Sequence, residues 1–550
     1  MVTPFEISDA FTEKWADLNP ITATSYGIGG RDHLPGDYSP EGHSARADLY
    51  REARRSFSGF LGDEDPHQKR AAKVTVGWLD RQIEEFESAK WARDLNHIHS
   101  PLQNIRDGFD VMDRDSPEGW EAIADRMATY PEMIDGYRAS LQVGLDNGDT
   151  VARRQVESAI EQADSTASEE SRFLSLTSEA AGVGGDEKAV AAAVDIARRT
   201  HGEFADWLRS EYLPAARPED AVGRERYLQG ADEFLGIDLD PEETSWWAWD
   251  EIHRIRREMK AAALEIDPVK TVEEIIELLD TDPRRSANTR DEFSEFVSDI
   301  QQQAIRQLSD VHFDVPDELR KITVNIAPPG GPLGAWYVSP SEDFTRPGSI
   351  WYAPGSRVRI PHWQEVSTAY HEGFPGHHLQ VATSVMNIET TSRFHRLCVW
   401  YSGSGEGWAL YAERLMDELG YFENPEYRLG LLSSQMMRSV RVVLDIGVQL
   451  GLTIPDDAPL YPGETWNFDI GVDYMNHIAL QPRDVATSEV KRYLGWWGQA
   501  IAYKVGEREI LKMREAVKKS DGESYDRKEF HRKMLDAGAI RLDHLWEEMV

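Results

Sequence analysis

Apolar residues recur every three or four positions through roughly the first 300 residues, and this period restricts that part of the chain to α-helices. Residues 66–95, 186–213 and 245–266 show the pattern most clearly, with charged residues between the apolar ones and no two-residue alternation. Pairs such as Asp282-Pro283 separate the helical stretches. The pattern predicts a mainly α protein whose N-terminal helical region covers residues 1–320.

Three short segments near the middle of the chain have a different composition. Residues 321–328, 335–341 and 348–355 are rich in β-branched and aromatic residues, and Pro and Gly bound them. These features predict a small β-sheet. Helical spacing resumes near Trp363, so residues 321–550 are expected to form a second region of sheet and C-terminal helices.

The charge of the chain excludes several classes of partner. Its 97 Asp and Glu residues against 60 Lys and Arg give a formal net charge of −37. A polyanion needs a cationic surface, so neither nucleic acid nor an anionic membrane is an expected partner. Residues 1–10 lack a basic stretch followed by an apolar one, and no apolar run approaches the ~20 residues that span a bilayer. We therefore expect a cytoplasmic location.

The richest chemistry lies in the segment YHEGFPGHHLQ, residues 370–380. A His-Glu pair followed by a second His one helical turn later is a common zinc site, in which the imidazoles bind the metal. The adjacent Glu then deprotonates a water on the metal. His371 and Glu372 fit the first two positions, which makes Glu372 a candidate general base.

The second histidine is ambiguous, because Pro375 occupies the position one turn after His371. In an unbroken helix His378 would lie about 20° from His371 and His377 about 120° away. Pro375 disfavours a regular turn and Gly376 permits unusual dihedrals, so a local bulge is expected. A two-residue bulge would return His377 to the ligand position. Spacing alone leaves both histidines open.

A third ligand is available in residues 403–419. Glu406 and Glu413 are seven residues apart and therefore lie on one face of a helix. Glu406 could bind the metal, and Glu413 could orient a ligand histidine by hydrogen bonding to it without binding the metal itself.

Four motifs occur in a fixed order along the second half of the chain. They are HE-x-x-PGH-x-LQ at 371–380, EGWA-x-Y-x-E at 406–413, RSVRVVLDIG at 438–447 and GQAIAYKVGEREILKMR at 498–514. In order and residues they resemble the bacterial family called domain of unknown function 885. The resemblance is strongest over roughly residues 320–515.

That family is usually grouped with zinc metallopeptidases of the gluzincin type, which implies two His ligands and one Glu ligand. Its constant histidine directly follows Pro-Gly, so the resemblance implies His371, His377 and Glu406 as ligands. It also implies a large helical, two-lobed metallopeptidase-like body, with the small sheet beside an active-site cleft. This sequence departs from the family at Gln449, where a His is common.

The last motif offers candidates for the remaining roles. The oxyanion of a metallopeptidase transition state needs a donor besides the metal. Tyr503 is the preferred candidate because it lies inside the motif, and Tyr474 is the second. Lys504 or Arg441 could bind a peptide carboxylate.

These residues together predict a zinc-dependent hydrolase that uses a Glu-activated water. The resemblance implies that it cleaves peptide bonds of short peptides. An edge strand of the small sheet is expected to pair with the substrate backbone. Two alternatives remain open. One keeps the metal and moves the substrate to a non-peptide amide or ester. The other is a non-catalytic helical protein that binds metal or peptide, which the retained Glu372 disfavours.

Overall fold

Helices dominate the computed structural model, which describes residues 2–327 and 334–550, and the predicted mainly α class is confirmed. The described residues pack as two units. The first contains the chain up to Asp220 with Ser392–Cys398 and Leu494–Trp496, and the second contains the remainder. The units therefore divide the chain near residue 220, at a different position from the predicted regions.

Many helices of the first unit begin with proline directly after a capping residue. Thr3, Ser39, Asp65 and Ser116 each accept a backbone hydrogen bond at the start of a helix whose first residue is proline. The first ten helices are α1 Pro4–Leu18, α2 Pro20–Ser25, α3 Pro40–Ser58, α4 Pro66–Glu87, α5 Pro101–Asp107, α6 Pro117–Ala128, α7 Tyr130–Asp146, α8 Arg153–Ala167, α9 Leu174–Gly182 and α10 Glu187–Trp207.

The remaining helices belong to the second unit, except α17 and the last residues of α21, which belong to the first. They are α11 Arg224–Leu235, α12 Pro241–Ile266, α13 Val272–Thr281, α14 Arg290–Leu308, α15 His362–Glu372, α16 His377–Met386, α17 Arg393–Cys398, α18 Ser402–Glu418, α19 Pro425–Leu450, α20 Phe468–His477, α21 Arg483–Gly495, α22 Ala502–Asp521, α23 Arg527–Ala537 and α24 Leu542–Met549. No helix in the described residues is long and apolar enough to cross a membrane.

The predicted small sheet is confirmed. Strands β2 Ile322–Ile326, β3 Gly334–Val338 and β4 Gly348–Ala353 form it in the order β2-β4-β3. Central β4 is parallel to β2 and antiparallel to β3, so β3 is an edge strand. Position 328, the end of the first predicted segment, lies outside the described residues. Two further short strands, β1 Ser286–Ala287 and β5 Ile360–Pro361, pair separately and were not predicted.

Glycines bring two pairs of helices in the second unit close together. A Cβ atom on Gly506 of α22 would lie 1.9 Å from the carbonyl oxygen of Gly403 in α18. A Cβ on Gly430 of α19 would lie 1.8 Å from the carbonyl oxygen of Trp363 in α15. Neither contact leaves room for a side chain, so α18 crosses α22 and α15 crosses α19 at backbone distance.

Candidate metal centre

Helix α15 ends at Glu372 because Gln301 of α14 takes over the hydrogen bonds of its last turn. The Gln301 side chain donates to the carbonyl oxygen of Ala369 at 2.7 Å and accepts from the Phe374 N–H at 2.6 Å. A Cβ on Gly373 would lie 2.3 Å from the Gln301 Oε1 atom, so the amide fits only against glycine. The chain therefore leaves the helix directly after the His-Glu pair.

The next four residues fold back tightly and start a new helix at His377. A Cβ on Gly376 would lie 2.0 Å from the carbonyl oxygen of His371. The Trp408 indole of α18 holds the turn by donating to the carbonyl oxygen of Pro375 at 3.0 Å. The predicted bulge inside one helix is therefore wrong in form. The helix breaks, because Gly373 and Gly376 allow the backbone to turn within four residues.

The break brings three of the predicted residues together. The Glu406 Oε2 atom lies 3.3 Å from the Nε2 atom of His371 and 3.3 Å from the Nε2 atom of His377. One ligand atom from each residue lies within 4.8 Å of the others. Glu406 reaches this point from the second turn of α18, at the close crossing with α22.

Behind this cluster, Glu413 fixes the orientation of His371. Glu413 is fully buried, and its Oε1 atom lies 2.8 Å from the His371 Nδ1 atom. Ser367 and Arg438 also bind the Glu413 carboxylate, Arg438 at 3.2 Å. A proton on Nδ1, which the carboxylate requires, leaves the Nε2 lone pair of His371 facing Glu406.

The charges of this cluster favour a cation. Burial and Arg438 oppose protonation of His371, yet Glu406 and Glu413 raise its pKa to about 9. Burial alone would raise the pKa of Glu406, but the two histidines hold it well below its usual range. The negative potential that attracts a proton here would also attract a metal ion.

Glu372, the candidate general base, adjoins the cluster and keeps its carboxylate available. Among residues 2–327 and 334–550 it makes no hydrogen bond and no ion pair. Burial raises the pKa of Glu372, although nearby His371 and His377 oppose the shift. A carboxylate with a raised pKa and no protein partner is suited to accept a proton.

His378, the alternative second ligand, lies outside the cluster. Its Nε2 atom is 2.8 Å from the carbonyl oxygen of Leu319, and its Nδ1 atom is 3.0 Å from the Tyr337 hydroxyl. Burial lowers the pKa of His378 to about 4. Both ring nitrogens therefore bond to the protein, which leaves none for a metal.

The two candidate tyrosines are placed differently. The Tyr503 ring lies nearly parallel to the His371 ring, with centroids 6.5 Å apart. Burial, followed by the charge of Glu406, raises the pKa of Tyr503. The Tyr474 hydroxyl instead donates to the carbonyl oxygen of Leu460, and its ring packs on Trp466. Only Tyr503 of the two adjoins the cluster.

Lys504, one candidate for binding a peptide carboxylate, is already neutralised by the protein. It is buried and bonds to Glu507, to Glu251 at 3.1 Å and to Gln435 at 2.7 Å. Its three ammonium donors are thereby used.

Arg441, the other candidate for binding a peptide carboxylate, lies over Tyr503, with its guanidinium carbon 5.0 Å from the ring centroid. It bonds to Tyr493 at 2.7 Å and to Glu489 at 2.8 Å. We infer that its charge acts on the Tyr503 side of the cluster.

Gln449 accepts hydrogen bonds from backbone N–H groups and is not part of the metal cluster. Its Oε1 atom accepts from the Val222 N–H at 2.9 Å, and its own carbonyl oxygen accepts from the Gly223 N–H at 3.3 Å. These contacts anchor the segment that leads into α11. The amide thus has a structural task in this chain.

The sequence profile of a bacterial protein family of unknown function, DUF885, matches residues 20–549. The chain belongs to this family. No curated protein sequence matches it significantly.

Two solved structures share the fold of this DUF885 member. The "putative lipoprotein" from Colwellia psychrerythraea has a TM-score of 0.85 and 22% sequence identity, with 100% of this chain and 99% of that chain covered. The "putative lipoprotein of unknown function" from Shewanella oneidensis has a TM-score of 0.76 and 19% identity, with 100% of both chains covered.

The donor set of this DUF885 chain fits zinc. Two imidazole nitrogens and one carboxylate oxygen are the ligands that catalytic zinc commonly takes, with a fourth position left for water. The Glu406 Oε2 atom and the His377 Nδ1 atom are buried, and neither makes a hydrogen bond with the residues that the structure describes. A metal ion between the three residues would satisfy the orphaned Glu406 oxygen.

Sequence reasoning missed two supporting residues of this DUF885 site. Gln301 lies some 70 residues upstream of the motif that it shapes. Its one signal is a polar residue on the apolar face of α14, between Val297 and Ile305. Arg438 opens the third motif, but nothing in the sequence relates it to Glu413.

Proposed function

We propose that this DUF885 chain is a zinc-dependent hydrolase that cleaves peptide bonds of short peptides, with a gluzincin-type ligand set of His371, His377 and Glu406. The observation that supports the proposal is the convergence of these three ligand atoms within 4.8 Å beside an unpaired carboxylate, Glu372. A protein that merely bound metal would have no use for that carboxylate. The predicted cytoplasmic location and the predicted lack of nucleic-acid and membrane partners stay predictions.

Glu372 performs the proton transfers in this proposal. When bound, a zinc ion would lower the pKa of a water to about 7 and polarise the substrate carbonyl. Glu372 accepts a proton from the attacking water and returns it to the nitrogen of the leaving amine. The raised pKa of Glu372 favours the second of these steps, because a carboxyl group must hold the proton before it can donate it.

Two further elements orient the substrate. Within the part of the chain that the structure describes, edge strand β3 pairs on one side only, so an extended peptide could add to the sheet as a further strand. The Tyr503 hydroxyl would donate to the oxygen on which negative charge develops. Arg441, whose guanidinium lies over the Tyr503 ring, would favour negative charge nearby.

Metal analysis of Glu372→Gln tests the division of roles. We expect about one zinc per chain in both wild type and variant, because Glu372 is not a ligand, and no turnover in the variant. Glu389→Gln removes one exposed acid from the turn that follows α16 and serves as the matched control. A folded wild type that binds no zinc would overturn the proposal, and unchanged turnover in Glu372→Gln would remove Glu372 from it.

A mixed library of short peptides tests the substrate class. Zinc-loaded wild type is incubated with the library, and the products are identified by mass spectrometry. Cleaved peptide bonds that disappear in Glu372→Gln support the proposal. Intact peptides together with hydrolysis of amide or ester model compounds would favour the non-peptide hydrolase. Binding of zinc without hydrolysis of either class would favour the non-catalytic alternative.

A further inference from the structure

A cavity of about 280 Å³ lies between the small sheet and two helices of the metal centre. Ala335 of edge strand β3 and Tyr352 of β4 form one wall. Glu365 and Thr368 of α15 and Ser433 of α19 form the opposite side. Thr368 precedes Glu372 by one helical turn, so the cavity adjoins the proposed catalytic base.

Glu365 is the one acidic residue among the cavity-lining residues, and Arg357 is the one basic residue. Among residues 2–327 and 334–550 its carboxylate makes no hydrogen bond and no ion pair. Burial raises its pKa to about 7, and Arg357 is the cation that opposes the shift. Arg357 is itself exposed and donates to the carbonyl oxygen of Pro354 at 3.3 Å. A half-buried carboxylate in this state is stabilised by a cation that enters the cavity.

Glu365 also has a fixed relation to Glu372. The two residues are seven apart on α15, which places them about 20° apart around the helix and ~10.5 Å apart along it. The pKa of Tyr352, which also lines the cavity, is raised by burial and then by the charges of Glu365 and Glu372. The Tyr352 hydroxyl is buried and makes no hydrogen bond with residues 2–327 or 334–550.

We propose that this cavity binds a positively charged group of the substrate, either a free α-amino group or a Lys or Arg side chain, through the Glu365 carboxylate. The inference rests on the proposed peptide hydrolysis and names a substrate class for it. An extended chain spans ~3.3–3.6 Å per residue, so the cation would lie roughly three residues from the bond that is cleaved. If the cation is the α-amino group, the products are short N-terminal fragments rather than single amino acids.

The hydroxyl-bearing residues of the lining support this choice of ligand. The hydroxyls of Thr368, Ser433 and Ser434 line the cavity with Glu365. Hydroxyl oxygens can accept hydrogen bonds from an ammonium group without adding charge. An anion in the cavity would face the Glu365 carboxylate, and the one cation of the lining, Arg357, is exposed and donates to the carbonyl oxygen of Pro354.

Calorimetric binding of defined peptides tests the proposal without turnover. Zinc-loaded Glu372→Gln is titrated with tetra-alanine, with N-acetyl-tetra-alanine and with an N-acetylated tetrapeptide that carries one Lys. We expect tetra-alanine to bind roughly tenfold or more tightly than its acetylated form, because a charge-assisted hydrogen bond is lost. Recovery of tight binding by the Lys peptide would identify the side chain as an accepted cation.

Glu365→Gln, introduced into the Glu372→Gln protein, should reduce these differences in peptide affinity to within about twofold, since an amide lacks the charge. Glu389→Gln in the same background is the matched control and should preserve them. Thermal melting confirms that each variant is folded. Discrimination that survives Glu365→Gln in a folded protein overturns the inference.

The same variants distinguish this inference from the proposed function. In protein that keeps Glu372, the rate of peptide hydrolysis could be unchanged by N-acetylation of the substrate and by Glu365→Gln. That result would contradict the inference, while the proposed hydrolase would still stand. Glu365-dependent binding of amines in a protein that hydrolyses no peptide would preserve the cation site and reject the hydrolase.

Discussion

At the scale of single residues, Gly376 decides which histidine can join the cluster. A Cβ atom there would lie 2.0 Å from the His371 carbonyl oxygen, so only glycine lets the chain return this close to the end of α15. The residue that follows the return is His377, and its ring centroid lies 4.8 Å from that of His371. One residue further, His378 turns away toward Leu319.

Separate alanine variants of the two histidines test this placement. His377→Ala should lose zinc, because it removes one of three protein ligands. His378→Ala should keep zinc and lose stability by about 1–3 kcal/mol, because the Leu319 carbonyl and the Tyr337 hydroxyl lose their partner. Zinc content and thermal melting measure both effects. Loss of zinc from a folded His378→Ala protein would contradict the assignment.

Phenylalanine variants of Tyr503 and Tyr474 test which tyrosine takes part in the reaction. Tyr503→Phe should lower kcat by roughly 10²-fold with zinc content unchanged, because it removes a donor to the developing oxyanion. Tyr474→Phe should leave kcat within about twofold and reduce stability by about 1–2 kcal/mol, because the Leu460 carbonyl loses its donor. Steady-state kinetics on a peptide substrate separates them. Equal kcat values for Tyr503→Phe and wild type would remove Tyr503 from the reaction.

What the sequence could reveal at this scale depended on distance along the chain. His371 and Glu372 are adjacent, so one motif identified them. The choice of His377 over His378 needed the family resemblance, because angular spacing assumes the regular helix that Gly373 ends. Gln301 could not be assigned, because its partners lie about 70 residues away in the sequence.

At the scale of elements, small residues set how closely α18 approaches α22, and this distance positions Glu406. Gly403 and Gly407 of α18 face Gly506 of α22, and a Cβ on Gly407 would lie 2.5 Å from the Gly506 backbone. Glu406 lies between these two glycines on the same helical turn. A shift of α18 away from α22 would therefore move Glu406 relative to the histidines.

Gly506→Ala tests this dependence. The added methyl group meets the Gly403 carbonyl oxygen at 1.9 Å, so we expect a loss of at least about 2 kcal/mol of stability and weaker zinc binding. Gly202→Ala in α10 is the matched control, since its nearest neighbour is the Ala167 Cβ at 3.6 Å. That change should stabilise by ~0.5–1 kcal/mol through helix propensity. Urea unfolding and zinc titration measure both. Wild-type zinc affinity in Gly506→Ala would contradict the coupling.

Elements were predictable where the sequence period was long or the composition distinctive. The stretch 245–266 forms the second part of α12, and the three predicted segments form β2, β3 and β4. The pair β1 and β5 was missed because each strand has two residues, too few for any period. The order β2-β4-β3 depends on contacts across the sheet that sequence spacing does not encode.

At the scale of the whole molecule, the formal charge of −37 counts every carboxylate as ionised, including carboxylates that are fully buried. Glu413 is 0% exposed and pairs with Arg438, and Glu507 is 1% exposed and pairs with Lys504. Asp445 is also 0% exposed, but it bonds to the Gly498 N–H and the Tyr227 hydroxyl, which are neutral. Its burial therefore lacks a compensating charge within bonding distance.

This difference predicts how stability depends on pH. Burial raises the pKa of Asp445 to about 8 from 3.8, so between these values the folded chain keeps a proton that the unfolded chain has lost. The free energy of unfolding should fall as pH rises through this window, by up to ~1.4 kcal/mol per pH unit, and level off near pH 8. Asn cannot ionise, so Asp445→Asn should remove this dependence.

Urea unfolding of wild type and Asp445→Asn at pH 5, 6.5 and 8 measures the predicted difference. Comparing the two proteins at each pH cancels the general repulsion of the acidic surface, because both carry the same exposed charges. The advantage of Asn should increase from pH 5 to pH 8, because only the wild type must ionise a buried group. Asp456→Asn, at an exposed position, is the matched control and should show no such increase. A constant difference between Asp445→Asn and wild type at all three pH values would mean that Asp445 ionises equally easily in the folded and unfolded chains.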